Sequence, residues 1–80
     1  MINYPNKETT KEFIGKVLRS EKNGLYKYPG RYYYYDTITL QWIAVDNSSN
    51  NCFIEEFKTK PEAIKWLNSL VAKDVTNERN

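Results

Sequence analysis

Eighty residues with a formal charge of +2, from 12 lysines and arginines against 10 aspartates and glutamates, leave room for one domain and argue for no strongly charged partner. There is no histidine and a single cysteine, Cys52, which excludes an internal disulfide and a Cys–His nucleophile and leaves no ligand set for a structural zinc. Packing alone must hold the core, and its largest candidate members, Phe13, Trp42, Phe53, Phe57 and Trp66, are each worth roughly 2–3 kcal/mol of transfer free energy.

Residues 1–8 contain Pro5, show no periodicity and read as an arm. They carry neither the basic start nor the apolar centre of a signal peptide, and no apolar run in the chain approaches the roughly 18–20 residues of a membrane span. A cytoplasmic protein with no membrane association is the expectation, and one thiol agrees with a reducing compartment. Thr9-Thr10-Lys11-Glu12 offers a capping box, and Phe13, Ile14, Val17 and Leu18 follow at helical spacing. Asn23-Gly24 would close this helix. The alternative makes residues 13–21 a strand and Asn23-Gly24 a type I′ hairpin turn, a ββββα order that Gly15 also favours.

From Arg31 onward the pattern is β. Tyr32 to Asp36, Thr39 to Asp46 and Cys52 to Lys58 are rich in aromatic or β-branched residues, and turn formers separate them. Asp36-Thr37 reads as a tight link, and Asp46 to Asn51 as a polar loop. Asn47-Ser48-Ser49 within that loop matches a glycosylation sequon but reads more simply as a turn. Alternation places Leu40, Trp42 and Ala44 on one side of the middle strand and Gln41, Ile43 and Val45 on the other. Neither side is wholly polar, so both faces need a cover. The final helix is marked by Thr59, Pro61 and Glu62 as cap, first-turn proline and capping-box partner. Ala63, Ile64, Trp66, Leu67, Leu70 and Val71 form its apolar stripe, and residues 74–80 read as a polar, flexible tail. The expected fold is thus α+β in a single domain: an N-terminal helix, a three-stranded antiparallel sheet and a C-terminal helix packed on it.

Catalysis finds no footing. Glu55 and Glu56 are the only adjacent carboxylates, and neighbours on a strand face opposite ways, so they cannot act together as acid and base. Gly15, Gly24 and Gly30 are isolated and make no phosphate cradle. We therefore expect no catalytic residue, no cofactor and no metal. Four consecutive tyrosines, Tyr32 to Tyr35, are the chain's most distinctive feature. On a strand Tyr32 and Tyr34 face one way, Tyr33 and Tyr35 the other, so one pair is expected to reach solvent or a partner. Basic residues are concentrated nearby: Lys16, Arg19, Lys22, Lys27 and Arg31 stand against Glu21 alone between residues 16 and 31. Exposed tyrosines beside cations stack on nucleic-acid bases or form protein-binding hot spots. The candidate partner-binding set is Lys27, Arg31, Tyr32, Tyr33, Tyr34 and Tyr35.

Trp42-x-Ala44, followed after a turn by Phe57-x-Thr59-x-x-x-Ala63 and an apolar helix, resembles the end of AP2-type and phage-integrase arm-type DNA-binding modules over residues 31–70. The resemblance implies a three-stranded sheet on one helix, with the free face of the sheet laid in the major groove. The first expectation for function is nevertheless a protein partner. Small size and absent chemistry suit an inhibitor or adaptor of phage or mobile-element type, with a DNA-binding module or accessory factor as the alternative. A homodimer through the second sheet face is a third reading.

Overall fold

The computed structural model describes residues 4–22, 28–49 and 51–78, with side chains described for all of these except Glu21 and residues 70–78. In chain order the elements are β1 (Asn6–Glu8), α1 (Lys11–Lys22), β2 (Arg31–Asp36), β3 (Gln41–Asp46), β4 (Phe53–Phe57) and α2 (Lys60–Glu78). The four strands form one mixed sheet in the order β1-β2-β3-β4. β1 runs parallel to β2, and the other two pairings are antiparallel.

The three antiparallel strands and the two helices lie where periodicity places them; the sheet gains a fourth strand that periodicity does not show. Asn6–Glu8, expected within an arm, pairs with Arg31–Tyr33, and the pairing is extended by the Thr9 amide donating to the Tyr33 carbonyl at 2.9 Å. The first element is therefore a strand, as in the alternative order, although residues 13–21 themselves are helical. Two exposed polar contacts also join β1 to α2. The Asn6 amide donates to Asn68 of α2 at 2.9 Å, and Glu8 pairs with Lys60 of α2 at 3.4 Å. The Asn23-Gly24 turn lies outside the described residues. At the far end of the chain the backbone of α2 stays helical to Glu78, into the segment read as a tail.

Local chemistry sets the helix starts. Thr10, not Thr9, caps α1: its Oγ1 accepts from the Phe13 amide at 3.2 Å and its carbonyl from the Ile14 amide at 3.1 Å. The α2 box is complete. Thr59 Oγ1 accepts from the Glu62 amide at 3.4 Å, while Glu62 Oε1 accepts from the Thr59 amide at 3.1 Å and hydroxyl at 2.9 Å.

Alternation divides the sheet into two faces. One carries Tyr32, Tyr34, Ile43 and Val45, packed with Ile14 and Val17 of α1. The opposite face carries Tyr33, Trp42, Ala44 and Phe57, packed with Ala63, Trp66 and Leu67 of α2. A sheet apolar on both sides thus receives one helix per side. Ala44 and Ala63 are fully buried, and such small side chains let α2 approach β3 closely. Val17, Val45 and Leu67 are also fully buried, each contributing about 1.5–3 kcal/mol. The large aromatics expected in the core sit at its margins: Phe13, Trp42, Phe57 and Trp66 are half-buried, and Phe53 is exposed on β4, an edge strand. Aliphatic side chains and two tyrosines take the central positions instead.

Candidate functional site

The tyrosine run divides by face as alternation requires, but neither pair is wholly exposed. Tyr32 and Tyr34 are buried beneath α1. The Tyr32 hydroxyl donates towards the carbonyls of Tyr28 and Pro29, each 3.0 Å away. Its ring lies so close to Gly30, where φ is +147°, that a Cβ there would stand 3.0 Å from the hydroxyl oxygen. Burial pushes the pKa of both phenols up; for Tyr32 the Tyr4 phenol adds to this, and for Tyr34 Asp36 and Glu56 do. On the other face Tyr33 is half-buried and Tyr35 is 43% exposed.

Arg31, expected as a surface cation, is only 4% exposed. It lies opposite Asp46 across the β2–β3 pair, with Nε 3.6 Å from the Asp46 carboxylate, and its Nη1 donates to the Tyr4 carbonyl at 3.2 Å. The Nε contact is too long for a hydrogen bond, and Nε has no hydrogen-bond partner in the protein. Asp46 is further held by the Ser48 amide at 3.0 Å and hydroxyl at 2.6 Å. Asn47 beside it is buried; its Nδ2 donates to the Tyr28 carbonyl at 3.3 Å and its Oδ1 has no partner. Lys27 lies outside the described residues. Arg31, Tyr32 and Tyr34 are therefore the buried members of the proposed set: α1 packs over the two tyrosines, and Arg31 is turned to Asp46 and the Tyr4 carbonyl.

The opposite end of the sheet is built differently. The link between β2 and β3 is a four-residue turn, Thr37 to Leu40, not the tight Asp36-Thr37 link. Leu40 consequently leaves the strand and adopts a left-handed backbone, φ 59°. Turns usually reserve such angles for glycine or asparagine, and leucine pays about 1 kcal/mol there. Ile38 and Leu40 are 78% and 67% exposed. The turn is nonetheless fixed to the body of the protein. Asp36 Oδ1 accepts from the Ile38 amide at 2.9 Å, and the same carboxylate lies 3.9 Å from Lys11 at the start of α1. The Ile38 amide above all holds the Asp36 carboxyl below its ordinary range; desolvation opposes it, and Lys11 and the contacts to Thr39 add to the lowering.

Tyr35 and Ile38 meet along a groove of about 470 Å³, which Glu8, Lys11, Glu12 and Asp36 also line. The groove occupies the part of the β2 edge that β1 leaves uncovered, since β1 pairs only as far as Tyr33. Behind Tyr35 is a supporting aromatic group: its ring centroid is 5.3 Å from that of Trp42, and Trp42 is 6.3 Å from Tyr33. Lys60 Nζ stands 5.6 Å from the Tyr33 ring centroid and 5.8 Å from that of Trp42 while it pairs with Glu8. Among the described residues this lysine, rather than Arg31, is the cation set against Tyr33. No motif in the sequence marks it, because its position depends on how α2 lies across the sheet.

Glu55 and Glu56 point to opposite faces, opposite Ala44 and Ile43 respectively. Among the described residues no cluster of three or more acidic or cysteine side chains could hold a metal, and no helix is long and apolar enough to cross a membrane. No protein-family model, curated protein or solved structure matches the chain.

Proposed function

We propose that this chain is a non-catalytic protein-binding module of the inhibitor or adaptor kind, docking through the β2–β3 hairpin end with Ile38, Leu40 and Tyr35. The observation that supports it is the fixed turn presenting two almost bare aliphatic side chains, one from a strained backbone. Exposure of a lone apolar residue is ordinary; two beside an exposed tyrosine and a groove form a patch, and patches mark interaction sites. Strain held in place by surrounding hydrogen bonds is likewise concentrated where proteins bind. A prefixed turn loses little entropy on docking, so most of its apolar area counts towards affinity.

The alternative, a DNA-binding module of the AP2 or integrase arm type, needs a bare sheet face. Here the face opposite α2 carries α1 over β2, and what is open at β4 on that side is Ile54 and Glu56, a poor complement to phosphate. Anisotropy of labelled duplex and single-stranded DNA separates the two readings: the protein reading predicts no saturable binding at near-physiological salt. The direct test places a photo-crosslinking amino acid at Ile38, with a second at Leu18 on the outside of α1 as control, in lysate of the source cells. A discrete protein adduct at position 38, missing at position 18 and abolished by Leu40→Asn, is the expected result. Equal labelling at both positions, or none at 38, overturns the reading.

A further inference from the structure

The sheet has a second open feature, independent of the hairpin end. β4 is the last strand of the sheet order, so among the described residues no strand lies beyond its outer edge. It pairs with β3 residue for residue from Phe53 to Phe57, without a bulge, and contains no proline. Its first four residues are exposed, Phe53 at 52% and Ile54 at 46% among them. Edges of this kind, regular and apolar, pair with other strands unless something prevents it.

Charge decides which strand can pair. Glu55 and Glu56 are both exposed and neither forms an ion pair among the described residues; the Glu55 carboxylate accepts only from the Glu56 amide, at 3.3 Å. In a symmetric antiparallel pair of two copies, the register that uses all five residues puts Glu55 opposite Glu55 and crowds four carboxylates into one pairing. Like charges directly opposite are destabilising, so the edge is set against its own kind. The same two carboxylates, one on each face, favour a strand with two adjacent basic residues, whose side chains also alternate between faces.

We propose that the outer edge of β4 accepts an extended segment of a partner protein in which two adjacent lysines or arginines lie between apolar residues. The basic pair would face Glu55 and Glu56, and the flanking apolar side chains Ile54 and Phe57. Main-chain hydrogen bonds supply the attachment and the charges select the sequence, as in other cases of strand addition.

The test selects a display library of short random peptides on the immobilised full chain, then maps the winners by amide chemical shifts. Enriched peptides are expected to contain an adjacent basic pair and to shift the amides of β4. They should lose about tenfold or more in affinity for the exposed double variant Glu55→Lys/Glu56→Lys, and should bind Ile38→Ser/Leu40→Asn as they bind the parent. No enrichment, winners without basic pairs, or winners indifferent to the charge reversal would overturn the proposal. Indifference to the hairpin-end variant keeps this outcome separate from that of the docking site above.

Discussion

Where β2 begins, the protein buries an arginine, an aspartate and an asparagine; where β2 ends, it exposes an isoleucine, a leucine and a tyrosine. Burying Arg31 and Asp46 costs desolvation that a single 3.6 Å contact repays only in part, so the pair adds little stability in itself. What it does is position: Arg31 holds the chain at Tyr4 beside β1, and Asp46 organises the loop through Ser48. At the hairpin end the exposed aliphatics position nothing. They bury little area, and Leu40 carries backbone strain, so the fold gains nothing evident from them. A departure from ordinary placement that organises the fold reads as structure, and one that does not reads as function.

Each end can be tested by substitution. The largest effect belongs to the buried end: Arg31→Met leaves Asp46 without its counter-charge in the interior and should cost about 3–5 kcal/mol in urea unfolding, whereas Arg31→Met/Asp46→Asn, which removes both charges, should cost much less. Equal losses from both variants would show that it is the contact to Tyr4, not the stranded charge, that matters. Tyr32→Phe removes a hydroxyl that serves two carbonyls and should cost about 1 kcal/mol. It should also flatten the alkaline limb of stability. A phenol whose pKa is raised by folding stabilises fully below the ordinary tyrosine range and loses that contribution as pH rises through the raised value.

Asp36 acts in the opposite direction. Its pKa is lowered by folding, so its contribution is present above the ordinary aspartate range and disappears as pH falls through the depressed value. Asp36→Asn should therefore weaken the acid dependence of stability seen in the parent, and Asp36→Ala, which also removes the acceptor oxygen that asparagine keeps, should loosen the turn, read as faster amide exchange at Ile38. Unchanged exchange at that amide would mean that the turn is fixed by other contacts.

The sequence makes α2 legible because its signals are local: a capping box, a first-turn proline and an apolar stripe lie within a dozen or so residues. The three antiparallel strands are legible for the same reason. β1 is not, since Asn6-Lys7-Glu8 has neither alternation nor β-favouring side chains and pairs through its backbone and through Asn68 and Lys60, far along the chain. That omission spreads to the site. Alternation separates Tyr32 and Tyr34 from Tyr33 and Tyr35, but which pair is covered depends on the side of the sheet on which the crossover between the parallel strands β1 and β2 carries α1. The turn after β2 is legible at Asp36-Thr37, but its length is not: Thr39 and Leu40 continue the alternation of the next strand, and the Asp36 carboxylate bonded to the Ile38 amide marks a longer turn that periodicity does not show.

The smallest expected change is the most informative. Urea unfolding of the double variant Ile38→Ser/Leu40→Asn, beside Leu67→Ala as a core reference costing about 2–5 kcal/mol, asks whether the hairpin end serves the fold. Because asparagine tolerates the left-handed angle at position 40, the double variant should match the parent or exceed it by about 0.5–1 kcal/mol. A loss comparable to that of Leu67→Ala would mean that Ile38 and Leu40 are part of the packing and would remove the basis for docking at this end.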